Sequence, residues 1–99
     1  MTGRSKWRVR TSPEIRNLIS RLHPVIKKRI KDAIMTILQN PGSGKLLKAD
    51  LKGLISYRTG KFRIIYKLEK DKTVTILVIG PRKTIYEETL MMVKRDSRE

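Results

Sequence analysis

Cysteine is absent from the 99-residue chain, and histidine occurs once, at His23. The first absence removes disulfides and thiolate metal sites, and with them any argument for an oxidising compartment. The second leaves no basis for a metal centre, because the acidic residues are scattered without ligand spacing. A Ser-His-Asp arrangement would have to use the same histidine, and no nucleophile-elbow motif surrounds any serine. Acid is scarce too: 9 Asp and Glu stand against 24 Lys and Arg, a formal net charge of +15. No apolar run approaches membrane-spanning length, and the basic stretch 4–10 runs into Thr11-Ser12-Pro13-Glu14, not into the apolar segment of a signal peptide. Glycine patterns for nucleotide binding are also missing, since Pro41-Gly42-Ser43-Gly44-Lys45 has no strand feeding it and no clear helix after it. The expectation is one cytoplasmic domain, residues 1–99, with no metal, no cofactor and no membrane partner.

Hydrophobic residues at 38% and charged residues at 33% favour a folded domain over a disordered basic tail. A compact chain this small has room for one modest core and a surface site. Its charge repels itself in the folded state and attracts a polyanion: nucleic acid, an acidic protein or an anionic surface.

Trp7 and Val9 alternate with Lys6, Arg8 and Arg10, the period of a half-buried strand. Ser12 is the expected N-cap and Pro13 the first residue of a helix whose stripe is Ile15, Leu18, Ile19 and Leu22. His23-Pro24 interrupts it, His23 reading as a solvated turn residue. A second helix follows, with Val25, Ile26, Ile30, Ala33, Ile34, Ile37 and Leu38 on one side and Lys27, Lys28, Arg29, Lys31 and Asp32 on the other, until Asn40-Pro41-Gly42 ends it. Two amphipathic helices with so short a turn pack as an antiparallel hairpin. Residues 41–53 read as a basic loop with a turn of helix around 46–51.

Beyond it the period becomes two: Phe62, Ile64, Tyr66 and Leu68 alternate with Arg63, Ile65, Lys67 and Glu69. Thr59-Gly60-Lys61 and Lys70-Asp71-Lys72 are the flanking turns, and residues 74–79, apolar on both faces, read as a central strand stopped by Gly80-Pro81. A weak closing helix spans about 85–93, with Leu90 and Val93 inward. The predicted class is α+β: an N-terminal strand, a helical hairpin, a three-stranded antiparallel meander in one sheet and a C-terminal helix, leaving one sheet face open to a polyanion.

Strict alternation turns Arg63 away from the hairpin. Arg82, Lys83 and Tyr86 follow the central strand and converge on its end, with Arg58 on the neighbouring strand. Such a group can grip a phosphate and stabilise charge added to it during transfer. RNA supplies its own nucleophile, the 2′-hydroxyl, so metal-free cleavage needs only that charge stabilisation and a proton acceptor. With histidine unavailable the candidates are tyrosine or lysine: Tyr86 first, with Tyr57 and Tyr66 as fallbacks. Plain binding without catalysis fits the same residues.

Two segments carry a resemblance. Leu51-Lys52-Gly53 leading through Tyr57-Arg58-Thr59-Gly60 to Phe62-Arg63-Ile64-Ile65-Tyr66, and Gly80-Pro81-Arg82 with the later Tyr86, resemble the RelE/ParE superfamily of toxins from type II toxin-antitoxin systems. The likeness spans about residues 7–86. It implies a microbial-RNase-like fold and, for the RelE branch, ribosome-dependent cleavage of messenger RNA by the 2′-hydroxyl, leaving a cyclic phosphate and a 5′-hydroxyl. By carry-over Arg63 and Arg82 stabilise the phosphorane, Tyr86 is base or stacking residue, and Lys52, Arg58 and Lys61 grip the RNA. Many members have histidine where Pro81 stands, and the ParE branch is associated with DNA gyrase instead. The implied partners are a cognate antitoxin, which wraps the basic surface and either occupies the site or displaces the closing helix near residues 85–93, and the ribosome with its mRNA, to which Lys27, Lys28, Arg29 and Lys31 add affinity without sequence readout. A non-toxic RNA-binding module is the remaining alternative.

Overall fold

In the computed structural model, which describes residues 6–81 and 85–96, the helices begin where the sequence supplies caps. Ser12 lies in extended backbone and its Oγ accepts the Ile15 amide at 3.1 Å, with Pro13 opening α1, Pro13–Ser20. His23 does the same for α2, Pro24–Gln39: its Nδ1 accepts the Val25 amide at 3.2 Å. The histidine is therefore exposed, as expected, and it also caps a helix.

Strands β1 (Arg8–Arg10), β2 (Lys45–Leu46), β3 (Ile55–Thr59), β4 (Phe62–Leu68) and β5 (Thr73–Pro81) form one five-stranded sheet in the order β1-β5-β4-β3-β2. The expected meander is β3-β4-β5, and β1 lies parallel to β5. β1 is less buried than its alternation suggests, with Val9 42% exposed, because it forms an edge, although Trp7 before it packs on the core. Residues 41–53 depart from the expected loop. Short 3-10 turns at Pro41–Ser43 and Ala49–Leu51 flank β2, which pairs antiparallel with β3. Gly44 makes that approach possible: a β-carbon there would lie 2.6 Å from Ile55 Cγ2 and 2.8 Å from the Ser56 carbonyl oxygen.

The sheet is covered on both faces. Ile30, Ala33 and Ile37 of α2 and Ile15 of α1 pack on Ile55, Ile64, Tyr66, Val74, Ile76 and Ile79. Leu54 and Ile65 meet Ile85 of α3, Ile85–Asp96, on the opposite side, with Leu77 and Val78. Strict alternation cannot place Ile76 and Ile79 together. A bulge does so: Ile65 pairs with Val78 and Tyr66 with Ile76, leaving Leu77 as the extra residue. The face expected to be open is thus partly roofed by α3. Its innermost residues are Ile85 and Thr89, not Leu90, and Thr89 is tolerated there because its hydroxyl donates to the Ile85 carbonyl at 2.7 Å. Two uncovered ends remain on that face: one by the β3–β4 turn, the other beside β1.

Candidate active site

At the β3–β4 end, pairing brings Arg58 opposite Arg63, and Arg63 opposite Gly80 on β5. These positions, with Ser56, share the α3 face. Arg63 Nη1 donates to Ser56 Oγ at 3.0 Å, and the Tyr86 hydroxyl donates to the same oxygen at 3.3 Å. The Arg63 guanidinium carbon stands 5.6 Å from the centre of the Tyr86 ring, within cation–π range. Ser56 is 2% exposed, so this joint between three elements is closed to solvent. Arg63 Nε is buried and has no hydrogen-bond partner among the described residues. A buried donor left unpaired is costly, so Arg63 is held here against a local penalty.

The same residues border a cleft of about 380 Å³, lined by Ser43, Gly44, Lys45, Ser56, Tyr57, Arg58 and Arg63. Three of these are cationic and none is acidic, so the cleft favours an anion. Arg29 of α2 also reaches this end: one of its guanidinium nitrogens lies 3.2 Å from where a β-carbon on Gly60 would stand.

Of the residues expected to act together, Arg63 and Tyr86 meet and Arg58 joins them at the cleft. Arg82 and Lys83 lie outside the described residues. Lys61 is exposed in the β3–β4 turn, near the cleft but not lining it. Lys52 borders a different, apolar depression with Leu46, Leu47 and Ala49. Lys27, Lys28 and Lys31 belong to α2, on the other side of the sheet, where Lys28 pairs with Asp32 at 3.4 Å. Tyr66 is not at the site. It is fully buried on the hairpin side, its hydroxyl donates to the Pro41 carbonyl at 2.6 Å, and burial raises its pKa above the ordinary tyrosine value. Tyr57 packs toward the hairpin core yet edges the cleft.

Ser56 and Lys45 are the residues that sequence reasoning missed. Ser56 lies two positions from Arg58 and therefore on its face, but nothing else in the sequence marks it out from the other hydroxyl residues of β3. Lys45 enters through β2, which is too short to show a period. Among the described residues no group of three His, Asp or Glu could hold a metal, and no helix is long and apolar enough to cross a membrane.

Comparison with known proteins gives a consistent result. No curated protein sequence matches the chain. A chain of the toxin-antitoxin complex RelBE2 from Mycobacterium tuberculosis superposes with a TM-score of 0.68 at 29% identity, covering 77% of this chain and 98% of that one. The archaeal RelE-RelB complex from Pyrococcus horikoshii gives 0.63 at 24% identity, covering 78% and 96%. Isolated RelE toxin from E. coli gives 0.64 at 15% identity, covering 88% and 98%, a likeness of fold. The family model for the ParE-like toxin of type II bacterial toxin-antitoxin systems matches residues 9–90, so the chain belongs to that family, within the RelE/ParE superfamily of toxins.

Proposed function

We propose that this toxin is a metal-independent endoribonuclease that cuts messenger RNA on the ribosome and so stops translation. One observation carries the reading most directly: Arg63 is held by Ser56 and Tyr86 at the wall of a cationic cleft, and its buried Nε has no partner among the described residues. A non-bridging phosphate oxygen in the cleft accepts from the guanidinium N–H groups that Ser56 does not use, and its negative charge grows as the phosphorane forms, so the contact is strongest in the transition state. In the reaction the 2′-oxygen bonds to phosphorus and the bond to the 5′-oxygen breaks. The 2′-hydroxyl proton passes to a base and the leaving 5′-oxygen takes up a proton, giving a cyclic phosphate and a 5′-hydroxyl.

Arg82, assigned on sequence alone, adds a second cation to the phosphorane, and Arg58 and Lys45 bind the flanking backbone. Lys52 and Lys61 are outer RNA contacts, and Lys83 joins Arg82 by sequence position. Tyr86 fixes the arginine with its ring, and its hydroxyl serves as the base once it leaves Ser56 Oγ for the substrate. Tyr86→Phe separates its two possible duties, since the ring is kept and proton transfer is lost. The cognate partner is an antitoxin whose acidic residues neutralise part of the +15 charge. Primer extension on translated messages tests the proposal: the wild-type protein should produce new 5′ ends, and Arg63→Ala should produce none. Growth arrest with intact messages would overturn it.

The ParE-like description of the family model favours a second reading, a toxin that blocks DNA gyrase without cutting RNA. In that case Arg63→Ala and Arg82→Ala variants stay toxic and DNA-damage signals accompany arrest.

A further inference from the structure

At the other uncovered end of the same sheet face lies a second cationic cleft. Arg8 and Arg10 stand two residues apart on β1, opposite Thr73 and Thr75 of β5. Val9 between them faces the helical hairpin with its partner Val74, so both arginines share the face that carries Arg63. Arg16 of α1 turns back toward them: its Nη1 donates to the Thr11 carbonyl at 3.0 Å and reaches the Thr11 hydroxyl at 3.5 Å. The three arginines, with Val9, Thr11 and Thr73, enclose a cleft of about 380 Å³.

We propose that this cleft is a second phosphate-binding site, one that anchors the sugar-phosphate backbone of a structured RNA while the Arg63 site engages the strand to be cut. The proposal rests on the reading of the chain as an RNA-acting toxin. Strand geometry sets the spacing within the cleft: residues two apart on one strand are about 6.6 Å apart, close to the separation of neighbouring phosphates along a nucleic-acid strand. Arginine suits the task because its planar fork binds a phosphate through two N–H groups, and Arg16 is pre-positioned by Thr11 with one arm of its fork.

Two nearby carboxylates only partly oppose this: Glu69 accepts from Thr75, opposite Arg10, at 2.9 Å and is already paired with Lys67 at 3.7 Å. Asp71 Oδ2 lies 4.0 Å from Arg8 Nη2, at the limit of an ion pair, and both side chains are more than half exposed. A hydrogen bond from Thr73, and then the charges of Arg10 and Arg8, hold Asp71 below the usual carboxylate pKa, so it stays ionised and offsets one of the three positive charges.

The cleft suits RNA better than an acidic protein segment for two reasons. First, a protein segment needs apolar anchors, and the cleft offers only Val9. The depression beside Lys52, with Leu46, Leu47 and Ala49, has the opposite character. Second, the two cationic sites are far apart on one face. From Val74 to Gly80 along β5 and across from β1 to β4, strand rise and spacing place them about 20 Å apart, a span that a stiff polyanion crosses readily.

The test compares binding of a labelled short RNA duplex, read by fluorescence anisotropy across a salt series, for full-length protein purified from its antitoxin. Arg8→Ala/Arg10→Ala should bind on the order of 25- to 60-fold more weakly at about 0.1 M salt and lower the salt slope by about 1.5 to 2, the signature of two lost phosphate contacts. Arg8→Lys/Arg10→Lys keeps the charge and loses the forks, and should fall between. Lys27→Ala/Lys28→Ala/Lys31→Ala, which removes more charge from the other side of the sheet, should change binding less than the double arginine variant. Equal losses in both sets would mean diffuse attraction and overturn the proposal. Unchanged RNA affinity with weakened antitoxin binding would also overturn it, assigning the cleft to the acidic protein. The assay involves no cleavage, so it stands apart from primer extension: a chain that binds through Arg8 and Arg10 but never cuts would sink the nuclease reading and leave the anchor in place.

Discussion

Replacing Arg63 with methionine should separate stability from activity, because in the free protein the arginine is held at some cost. The substitution removes a charge-assisted hydrogen bond to Ser56, worth about 1.5–3 kcal/mol, and a cation–π contact with Tyr86, worth about 0.5–1 kcal/mol. It also removes a buried, unpaired Nε, whose desolvation costs about 1–3 kcal/mol, and the repulsion of a like charge directly opposite on β3, worth a few tenths to about 1 kcal/mol. The terms nearly cancel, and the methionine stem still lies against the Tyr86 ring. Net stability should therefore stay within about 1 kcal/mol of wild type, a Tm shift below about 8 °C for a chain of this size.

Cleavage is different, since Arg63 is the cleft cation that Ser56 and Tyr86 hold in place for the oxyanion. Loss of one such contact lowers the chemical rate on the order of 10²- to 10³-fold. Thermal melts and primer extension on the same preparations read both quantities. A third measurement links them: inorganic phosphate should raise the Tm of the wild type by binding the folded state, and should raise that of Arg63→Met much less. The reasoning is refuted if the variant cuts within a few-fold of wild type. It is equally refuted if Arg63→Met loses more than about 3 kcal/mol of stability and activity falls only with the folded fraction.

Ser56→Ala leaves Arg63 Nη1 and the Tyr86 hydroxyl without their shared acceptor; we expect a cleavage rate lower by about tenfold with little change in RNA affinity, since the cost is in orientation. Tyr66→Phe should cost about 1 kcal/mol through the lost bond to Pro41 and leave single-turnover cleavage unchanged, whereas a large loss of cleavage would return Tyr66 to the site. Its pH effect has a definite sign. The folded pKa is raised by burial, so the stabilisation is complete below the unfolded tyrosine value near 10 and disappears as pH climbs through the folded value; alkaline unfolding curves of Tyr66→Phe should lack that component. Gly44→Ala forces a β-carbon against Ile55 and the Ser56 backbone, and should destabilise the fold by about 1–3 kcal/mol while also opening the cleft wall, seen as faster amide exchange in β2 and β3 together with weaker RNA binding.

The elements most legible in the sequence were those fixed by local chemistry. Ser12-Pro13 and Asn40-Pro41 bound the helices as expected, and the period of residues 62–68 identified β4 and the orientation of Arg63. What stayed hidden depended on contacts distant in the chain. β2 has two residues, too few for any period, and exists because Gly44 lets it approach β3. The bulge at Leu77 inverts the alternation within an all-apolar run, where no polar residue marks which face is which. Thr89 reads as solvent-facing on any hydropathy pattern, yet its hydroxyl is satisfied within its own helix, so α3 can bury it and roof the sheet.

The candidate site divides along the same line. Charge and alternation were enough to find Arg63 and Arg58, because a strand's period assigns a face without reference to anything else. They could not rank the lysines. Lys27, Lys28 and Lys31 look as promising as Arg58 in the sequence, and only the packing of α2 against the hairpin-side core puts them across the sheet from Arg63. Nor could they reveal Ser56, since a buried serine in a strand acquires meaning only when two donors from different elements converge on its oxygen. It follows that net charge is a poor guide to which cations act on a phosphate. The discriminating property is confinement: Arg63 is fixed by Ser56 and Tyr86 at the wall of the cleft, whereas an exposed lysine on α2 must lose side-chain entropy before it can orient anything.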